Sequence, residues 1–208
     1  MKRLLLASSG IGALRELVGD PAGLRFSFVP TAAGPEPESK SWVQADRRQL
    51  QSLGCDVSTL ELATADRDDV SSALSSVEGV FLTGGNSYLL LWHALRSGFA
   101  ELVVPLVESG ELVYVGTSAG AILAGPDLEP AASQDDRAAV AELGSSRALG
   151  LVGFSILPHD QDPECAERHD AVLAAVGAGS VGFVRLTDER AVLVHGDTWQ
   201  VVESPQLA

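Results

Sequence analysis

The sequence predicts an α/β fold in which helices cover both faces of a mostly parallel sheet and the chain closes with an antiparallel hairpin. Short apolar runs alternate with helix-like stretches along much of the 208-residue chain, and this alternation is typical of βαβ units. The last strands are short, and Gly196-Asp197 between two of them is a strong hairpin signal. No linker-like stretch divides the sequence, which predicts one domain over residues 1–208.

Five apolar runs predict the parallel strands, because each is short and is followed by a stretch long enough to cross over the sheet. They span residues 4–7, 25–29, 57–62, 80–83 and 112–116. Helices are predicted over residues 39–53, over 66–76 with Asp66 as the N-cap, and over 87–97 ending at Gly98.

The second half of the chain is less regular. A helix is predicted to begin at Ala119, and the polar stretch 126–146 is predicted as loops with at most one short helix. Residues 151–157 predict a strand that runs into Pro158-His159. Turns separate the final runs, which favours antiparallel pairing of the predicted strands 181–186, 191–195 and 199–202.

Composition and charge exclude several classes of function. The chain has 14 Lys and Arg against 28 Asp and Glu, a formal net charge of -14. Binding to nucleic acid or to an anionic membrane surface requires clustered basic residues, so neither partner is predicted. An anionic substrate would be repelled at long range and would have to meet a specific basic group at the site.

Two features concern the compartment. Cys55 and Cys165 stand far apart and in no CxxC pair, which predicts neither a disulfide framework nor a zinc site. The apolar run after Lys2-Arg3 is too short for a signal peptide, and no segment approaches the ~20 apolar residues of a membrane span. These patterns predict a cytoplasmic protein.

The pattern Gly116-Thr117-Ser118-Ala119-Gly120 directly follows a predicted strand. Small residues two before and two after a serine allow the sharp strand-to-helix turn that exposes its Oγ. A serine hydroxyl becomes nucleophilic only when a base takes its proton and donors stabilise the oxyanion. Ser118 is therefore the predicted nucleophile of a serine hydrolase.

The other parts of the site are sought at neighbouring strand ends, where reactive groups of open α/β sheets gather. Gly85 ends one strand, and its N–H and that of Ala119 are the predicted oxyanion donors. His159 ends another strand and is the predicted base. The remaining histidines, His93, His169 and His195, fall in predicted helices or in the hairpin, where a packing or surface role is the better interpretation.

Several acids could orient the imidazole. An acid before His159 would reproduce the Ser…Asp…His order of α/β-hydrolases, and an acid after it gives Ser118…His159…Asp188. The second order is preferred because the segment after Gly125 is irregular. The candidates are Asp127, Asp135, Asp136, Asp188 and Glu189. The acid-rich stretch 159–164 lacks the glycine and spacing of a calcium loop and predicts a helix N-terminus, not a metal site.

These residues resemble peptidase E, the aspartyl dipeptidases, a family related to cyanophycinases and to class I glutamine amidotransferase domains. The resemblance rests on the segments Thr83-Gly84-Gly85-Asn86-Ser87, Gly116-Thr117-Ser118-Ala119-Gly120-Ala121, Leu157-Pro158-His159, Phe28-Val29-Pro30-Thr31-Ala32 and Leu186-Thr187-Asp188-Glu189. It implies a flavodoxin-like, class I glutamine amidotransferase-like sheet. It also implies a cofactor-free serine exopeptidase that cleaves dipeptides with an N-terminal aspartate.

The resemblance also suggests site residues. Ser118 and His159 correspond to the nucleophile and base, and Gly85 and Ala119 to the oxyanion donors. The family's acid is a glutamate, and Asp188 stands in its place with Glu189 one residue away. The predicted substrate-binding residues are Arg168, Asp136 and Asn86.

Two alternative functions remain open at the level of sequence. One is a cyanophycinase-like hydrolase of β-aspartyl-arginine units, and the other is a binding or sensing domain that keeps the fold without the chemistry. A small peptide is the predicted partner, and the chain is predicted to be a monomer or a homodimer.

Overall fold

The computed structural model describes residues 1–129, 131–132, 135–175 and 182–207. Nine strands occur in this part of the chain: β1 (Arg3–Ala7), β2 (Arg25–Val29), β3 (Asp56–Thr59), β4 (Gly79–Leu82), β5 (Val113–Thr117), β6 (Phe154–Leu157), β7 (Gly182–Arg185), β8 (Arg190–His195) and β9 (Thr198–Glu203). The helices within the same residues are α1 (Leu14–Val18), α2 (Ser41–Ser52), α3 (Arg67–Ser75), α4 (Ser87–Arg96), α5 (Phe99–Ser109), α6 (Ala119–Leu123) and α7 (Pro163–Ala175).

Seven strands form the main sheet, in the order β3-β2-β4-β5-β1-β8-β9. The first five strands of this order pair in parallel, and β8 and β9 close the sheet as an antiparallel hairpin. The predicted α/β fold, with its mostly parallel sheet and C-terminal hairpin, is thereby confirmed. The register places Ala7 opposite Thr117 and Leu82 opposite Gly116. The segments that follow β1, β4 and β5 therefore leave the sheet side by side, at the carboxyl ends of these parallel strands.

The central strands β1, β2, β4 and β5 are buried on both faces of the sheet: alternate side chains of a strand point to opposite sides, and nearly all side chains of these strands are buried. Leu4 and Leu6 of β1 belong to one apolar cluster, whereas Leu5 and Ala7 belong to the cluster on the other face. Strands covered on both faces appear in the sequence as continuous apolar runs. Polar chemistry is consequently confined to the ends of these strands.

The structure corrects one prediction about pairing. β7 is not antiparallel to the hairpin; it pairs in parallel with β6 in a separate two-stranded sheet. The helix α7 connects the two strands, and such a crossover brings the second strand back in the same direction. Val181, with which this strand was predicted to begin, lies outside the described residues.

Other differences concern the bounds of elements. β6 begins at Phe154 and not at residue 151, because the Val152 N–H donates to the Ala124 carbonyl at 3.2 Å and not to a strand. β3 ends at Thr59, although the strand was predicted to extend to residue 62. The Leu62 N–H donates to Thr31 Oγ1 at 3.0 Å and not to a neighbouring strand. The helix α5 was not predicted.

The predicted cap of α3 is confirmed. Asp66 accepts hydrogen bonds from the N–H groups of Asp68 and Asp69, both at 2.9 Å, and Asp69 in turn accepts from the Asp66 N–H. In the described part of the chain, no single helix is long and apolar enough to cross a membrane; α4 and α5, bent by 94° at their junction, meet that criterion only when taken together.

Candidate active site

Ser118 lies at a sharp turn between β5 and α6. Its backbone has φ 47° and ψ -107°, a conformation that side chains rarely adopt. The Ser118 N–H donates to the Ala7 carbonyl at 3.0 Å, which joins the turn to β1. The strained backbone projects the serine side chain outward from the carboxyl edge of the sheet.

Both glycines of the Gly-x-Ser-x-Gly pattern are required by space. A Cβ on Gly116 would lie 2.4 Å from backbone atoms of Gly120, and a Cβ on Gly120 would lie 2.2 Å from the Leu82 carbonyl oxygen. These clashes are with backbone atoms, which cannot move aside without displacing the strands. Both glycines of the pattern are therefore needed for the tight turn between β5 and α6.

Ser118, His159 and Asp188 form a hydrogen-bonded chain. Ser118 Oγ lies 2.9 Å from His159 Nε2, and His159 Nδ1 lies 2.6 Å from Asp188 Oδ1. Because an ionised carboxylate can only accept, Nδ1 carries the proton and Nε2 is left to accept from the serine hydroxyl. This is the arrangement that a serine nucleophile with a histidine base requires.

The carboxylate of Asp188 is held by further donors. Gln161 Nε2 donates to Asp188 Oδ2, and Gln161 Oε1 accepts from the Asp188 N–H at 2.9 Å. The hydrogen bond from His159 holds the pKa of Asp188 below its ordinary value, against burial, which raises it. Glu189, the alternative acid, is exposed. Of the two adjacent acids, Asp188 is therefore the one that contacts His159, and Gln161 is a further contact of its carboxylate that the sequence reasoning missed.

A second missed residue is Ser8, at the end of β1. Its side chain is 1% exposed and lies against both His159 and Asp188. Ser8 could have been found from the sequence, because it follows the apolar run of residues 4–7 and polar groups at the carboxyl ends of strands build the site.

The loop after β4 supplies the predicted oxyanion donors. Gly85 has φ 143°, and a Cβ there would lie 2.1 Å from the Ala32 carbonyl oxygen, so only glycine fits. Ala119 opens α6, and the first N–H of a helix has no intrahelical acceptor. No acceptor for the Gly85 N–H occurs among the residues that the structure describes. Two N–H groups are thus available beside Ser118.

Two cavities adjoin Ser118, and Gly85 and His159 line both of them. The larger, of about 210 Å³, is bounded by Trp42 and Asp46. The smaller, of about 100 Å³, extends toward Asp135 and His169. Within the described residues, no Lys or Arg lines either cavity.

Asp46 is a buried acid that the sequence reasoning did not select. It lies on α2 and is 6% exposed. Its Oδ2 accepts from Thr117 Oγ1 at 2.8 Å, and Gln49 Nε2 lies 3.4 Å from its Oδ1. Burial raises its pKa to about 7, although these hydrogen bonds and one from the Gly84 backbone lower it. Asp46 therefore connects the loop after β4 with Thr117, the residue that precedes Ser118.

The substrate-binding residues predicted after the nucleophile have other contacts. Asn86 caps α4 through a 2.9 Å bond from the Leu89 N–H, and its Nδ2 donates to the Asp136 carbonyl. Asp136 accepts from the Ala138 N–H at 2.8 Å. Neither lines either cavity beside Ser118, whereas Asp135 lines the smaller one. Burial raises the pKa of Asp135, which accepts from a backbone N–H of α4.

Arg168 lies on α7, with its side chain 48% exposed and one guanidinium nitrogen 3.7 Å from Glu164. It lines a surface depression with Glu164, Glu167 and Ala171, and it is absent from the described lining of both cavities beside Ser118. The structure therefore does not bring the predicted carboxylate-binding arginine to the nucleophile.

The acidic stretch after His159 begins α7, as predicted. Asp162 Oδ1 accepts from the Glu164 N–H at 2.8 Å, which is the contact of a helix cap. Asp160 lies 2.8 Å from His169 Nδ1 and 2.6 Å from Arg185 Nε. His169 is 2% exposed. Asp160 thus joins the segment after β6 to α7 and β7, and His169 also lines the smaller cavity beside Ser118.

Comparison with known proteins gives consistent matches. A profile described as Peptidase family S51 matches residues 6–202. The uncharacterized peptidase Lmo0363 of Listeria monocytogenes is 30% identical over 199 residues, which cover 94% of this chain and 96% of that protein. Peptidase E of Streptomyces coelicolor is 34% identical over 149 residues, or 72% of this chain and 56% of that protein. A Listeria monocytogenes crystal structure provisionally described as a peptidase E protein has a TM-score of 0.87 at 28% identity and covers 99% of this chain and 100% of that one.

Proposed function

The chain belongs to peptidase family S51, and we propose that it is a serine-type exopeptidase that hydrolyses dipeptides with an N-terminal aspartate. The observation that carries the proposal is the hydrogen-bonded chain of side chains, with 2.9 Å between Ser118 Oγ and His159 Nε2 and 2.6 Å between His159 Nδ1 and Asp188. These distances lie within the reach that proton transfer from a nucleophile to a base requires.

In the proposed reaction, Ser118 Oγ attacks the carbonyl carbon of the peptide bond while His159 Nε2 takes the hydroxyl proton. The negative charge that develops on the carbonyl oxygen is stabilised by the N–H groups of Gly85 and Ala119. The C–N bond then breaks, the amine leaves with the proton from His159, and an acyl-enzyme remains. Water attacks this ester by the same route, with His159 again as base, and releases Ser118.

The free α-ammonium of the substrate requires an acid near the nucleophile. We assign this role to Asp135, in place of Asp136, because Asp135 lines the smaller cavity beside Ser118. A carboxylate there would pair with the ammonium group and favour peptides with a free amino terminus. This contact would make the enzyme an exopeptidase.

The preference for aspartate is supported by the resemblance to peptidase E and by the relative that bears that name, and not by a basic group in the described cavities. Arg168→Ala tests the carboxylate-binding role directly. We expect the KM for Asp-Leu to stay within roughly twofold, because the exposed Arg168 lines neither cavity beside Ser118. A rise of roughly tenfold or more would assign Arg168 to the substrate carboxylate.

The experiment that tests the function compares Asp-Leu, Ala-Leu and β-Asp-Arg as substrates of the purified protein. Wild type should cleave Asp-Leu, and Ser118→Ala should lower kcat by at least about 10³-fold, because removing a nucleophile leaves only residual catalysis. Cleavage by Ser118→Ala at the wild-type rate would refute the proposal. So would a folded wild-type protein that cleaves none of the three.

β-Asp-Arg represents the second candidate, a cyanophycinase-like hydrolase. The observation in its favour is that the cavity linings include Asp46 and Asp135 and that the chain has a net charge of -14. An acidic surface attracts a cationic arginine side chain. Turnover of β-Asp-Arg well above that of Asp-Leu would favour this candidate.

The third reading, a binding or sensing domain without chemistry, is tested by a fluorophosphonate probe, which labels an activated serine. Labelling of wild type but not of Ser118→Ala is expected, and a folded, unlabelled wild type would support the binding domain. We further infer a cytoplasmic location, which is supported by only two cysteines in 208 residues.

A further inference from the structure

We propose that Ser8 is a positioning residue of the peptidase reaction: it joins His159 and Asp188 to the main sheet and keeps the imidazole in the tautomer that accepts the Ser118 proton. The inference rests on the proposed function, since it concerns the same reaction. Ser8 follows β1, is 1% exposed, and lies in the wall of the larger cavity.

The Ser8 hydroxyl contacts two members of the hydrogen-bonded chain at once. Its Oγ accepts from the His159 N–H at 2.8 Å and donates to Asp188 Oδ1, also at 2.8 Å. It also lies 3.4 Å from His159 Nδ1. One side chain therefore fixes the backbone of the base and the carboxylate that orients its ring.

The protons of this network can be placed in only one way. Ser8 has a single hydroxyl proton, and the ionised Asp188 needs donors, so that proton points to Oδ1. His159 Nδ1 shares the same oxygen at 2.6 Å and must also donate. Nε2 is then unprotonated and faces Ser118 Oγ. Ser8 thus reinforces the tautomer that a general base needs.

The topology explains why such a link is needed. Ser118 follows β5 of the main sheet, whereas His159 follows β6 of the separate two-stranded sheet. The end of β1 contacts all three segments: the Ala7 carbonyl accepts from the Ser118 N–H at 3.0 Å, Ser8 contacts His159, and the Gly10 N–H donates to the Asp188 carbonyl at 3.0 Å. Ser8 supplies the side-chain part of this junction.

The backbone of His159 gives a further reason. Its φ is 61°, a strained conformation for a residue other than glycine that persists only when neighbouring contacts hold it. The bond from the His159 N–H to Ser8 is such a contact. Loss of the hydroxyl would leave this N–H unsatisfied and free the segment to relax.

Ser8→Ala tests the proposal, with Ser27→Ala as the matched control. Ser27 is also a buried serine of the main sheet, on β2, and its Oγ has no partner among the described residues. We expect Ser8→Ala to lower kcat by about 10- to 100-fold, as for the loss of a hydrogen bond to a charged group, with KM for Asp-Leu unchanged within about twofold. Ser27→Ala should match wild type, and Ser8→Thr, which keeps the hydroxyl, should recover most of the rate.

A second measurement does not depend on turnover. The His159 Nδ1 proton, held between a ring nitrogen and a carboxylate 2.6 Å apart, should give a low-field proton NMR resonance. It should be present in wild type and Ser27→Ala and shifted or lost in folded Ser8→Ala. If Ser8→Ala does not fold, Ser8→Cys replaces it, because a thiol of similar size is a weak donor.

Three results would overturn the proposal: an unchanged kcat in Ser8→Ala, a raised KM at constant kcat, or an unaltered low-field resonance in the folded variant. An active wild type whose kcat is unchanged in Ser8→Ala would overturn the positioning role of Ser8 and leave the peptidase function intact. A wild type without activity but with a resonance that depends on Ser8 would do the opposite. The two failures are therefore distinguishable.

Discussion

Replacing Asp188 by alanine tests the site where two adjacent acids compete in the sequence. Asp188 Oδ1 accepts from His159 Nδ1 at 2.6 Å and from Ser8 Oγ at 2.8 Å. The carboxylate also receives the Gln161 amide. Alanine leaves these three donors without their acceptor, and the imidazole loses both its orientation and the negative charge that stabilises it when protonated. Glu189, exposed beside it, provides the matched control.

The expected loss is large because, in the proposed mechanism, Asp188 acts on the transition state. In serine hydrolases of this type, disabling the acid lowers kcat by roughly 10⁴-fold, which corresponds to on the order of 5 kcal/mol of transition-state stabilisation. Glu189→Ala should change kcat less than about twofold, since a solvated surface carboxylate contributes little to a site it does not contact.

The assay is steady-state hydrolysis of Asp-Leu, with the folded state of each variant checked by its melting temperature. The reasoning would be refuted if Glu189→Ala lost activity and Asp188→Ala kept it, which would mean that the loop turns by one residue when substrate binds. Equal small losses in both variants would show that His159 needs no acid partner. Fluorophosphonate labelling, which reports the nucleophile directly, should follow the same order as kcat.

Two further predictions concern residues that frame the nucleophile. Burial raises the pKa of Asp46 from 3.8 to about 7, so the folded state binds the Asp46 proton more tightly than the unfolded state does. The stability that this proton contributes is full below about pH 4 and is lost as the pH rises through 7. The whole effect is on the order of 4 kcal/mol. Denaturant unfolding at several pH values should show this slope in wild type and not in Asp46→Asn, and identical slopes would contradict it. Gly85→Ala places a Cβ 2.1 Å from the Ala32 carbonyl oxygen and should lower kcat by about 10²- to 10³-fold through the displaced N–H. Gly144→Ala, where nothing lies within 4 Å, is its control, and equal activity of the two variants would exclude the Gly85 N–H from the oxyanion site.

Sequence was sufficient for the parts of the site that follow from chain direction. An apolar strand followed by a Gly-x-Ser-x-Gly turn specifies where Ser118 Oγ emerges. Parallel strands bring their carboxyl ends to one edge, which allowed Gly85 and His159 to be selected by position. Asp188 followed from the same logic with less force, because several acids were near strand ends. Each of these residues could be selected because it directly follows a strand that is recognisable in the sequence.

The missed features depend on partners that are distant in sequence. β6 and β7 are recognisable as strands, but nothing in their composition states that they pair with each other outside the main sheet. Ser8 and Asp46 are single polar residues whose meaning comes from contacts 151 and 71 positions away, with His159 and Thr117 respectively. A serine at a strand end and an acid on a helix are ordinary in a sequence, and only the third dimension gives them a role.

The backbone of the site explains why these distant contacts are needed. Among the described residues, the positive φ angles outside glycine belong to Glu36, Ser118 and His159. Two of the three are therefore the proposed nucleophile and base, and each strained conformation costs on the order of 1–3 kcal/mol and persists only because its surroundings hold it. The restraints come from successive positions of one strand end: the Ala7 carbonyl accepts from the Ser118 N–H, and Ser8 Oγ accepts from the His159 N–H. A buried strand that contributes no member of the hydrogen-bonded chain thus fixes the two strained residues relative to each other. Activity should accordingly be more sensitive to changes at the end of β1 than stability is.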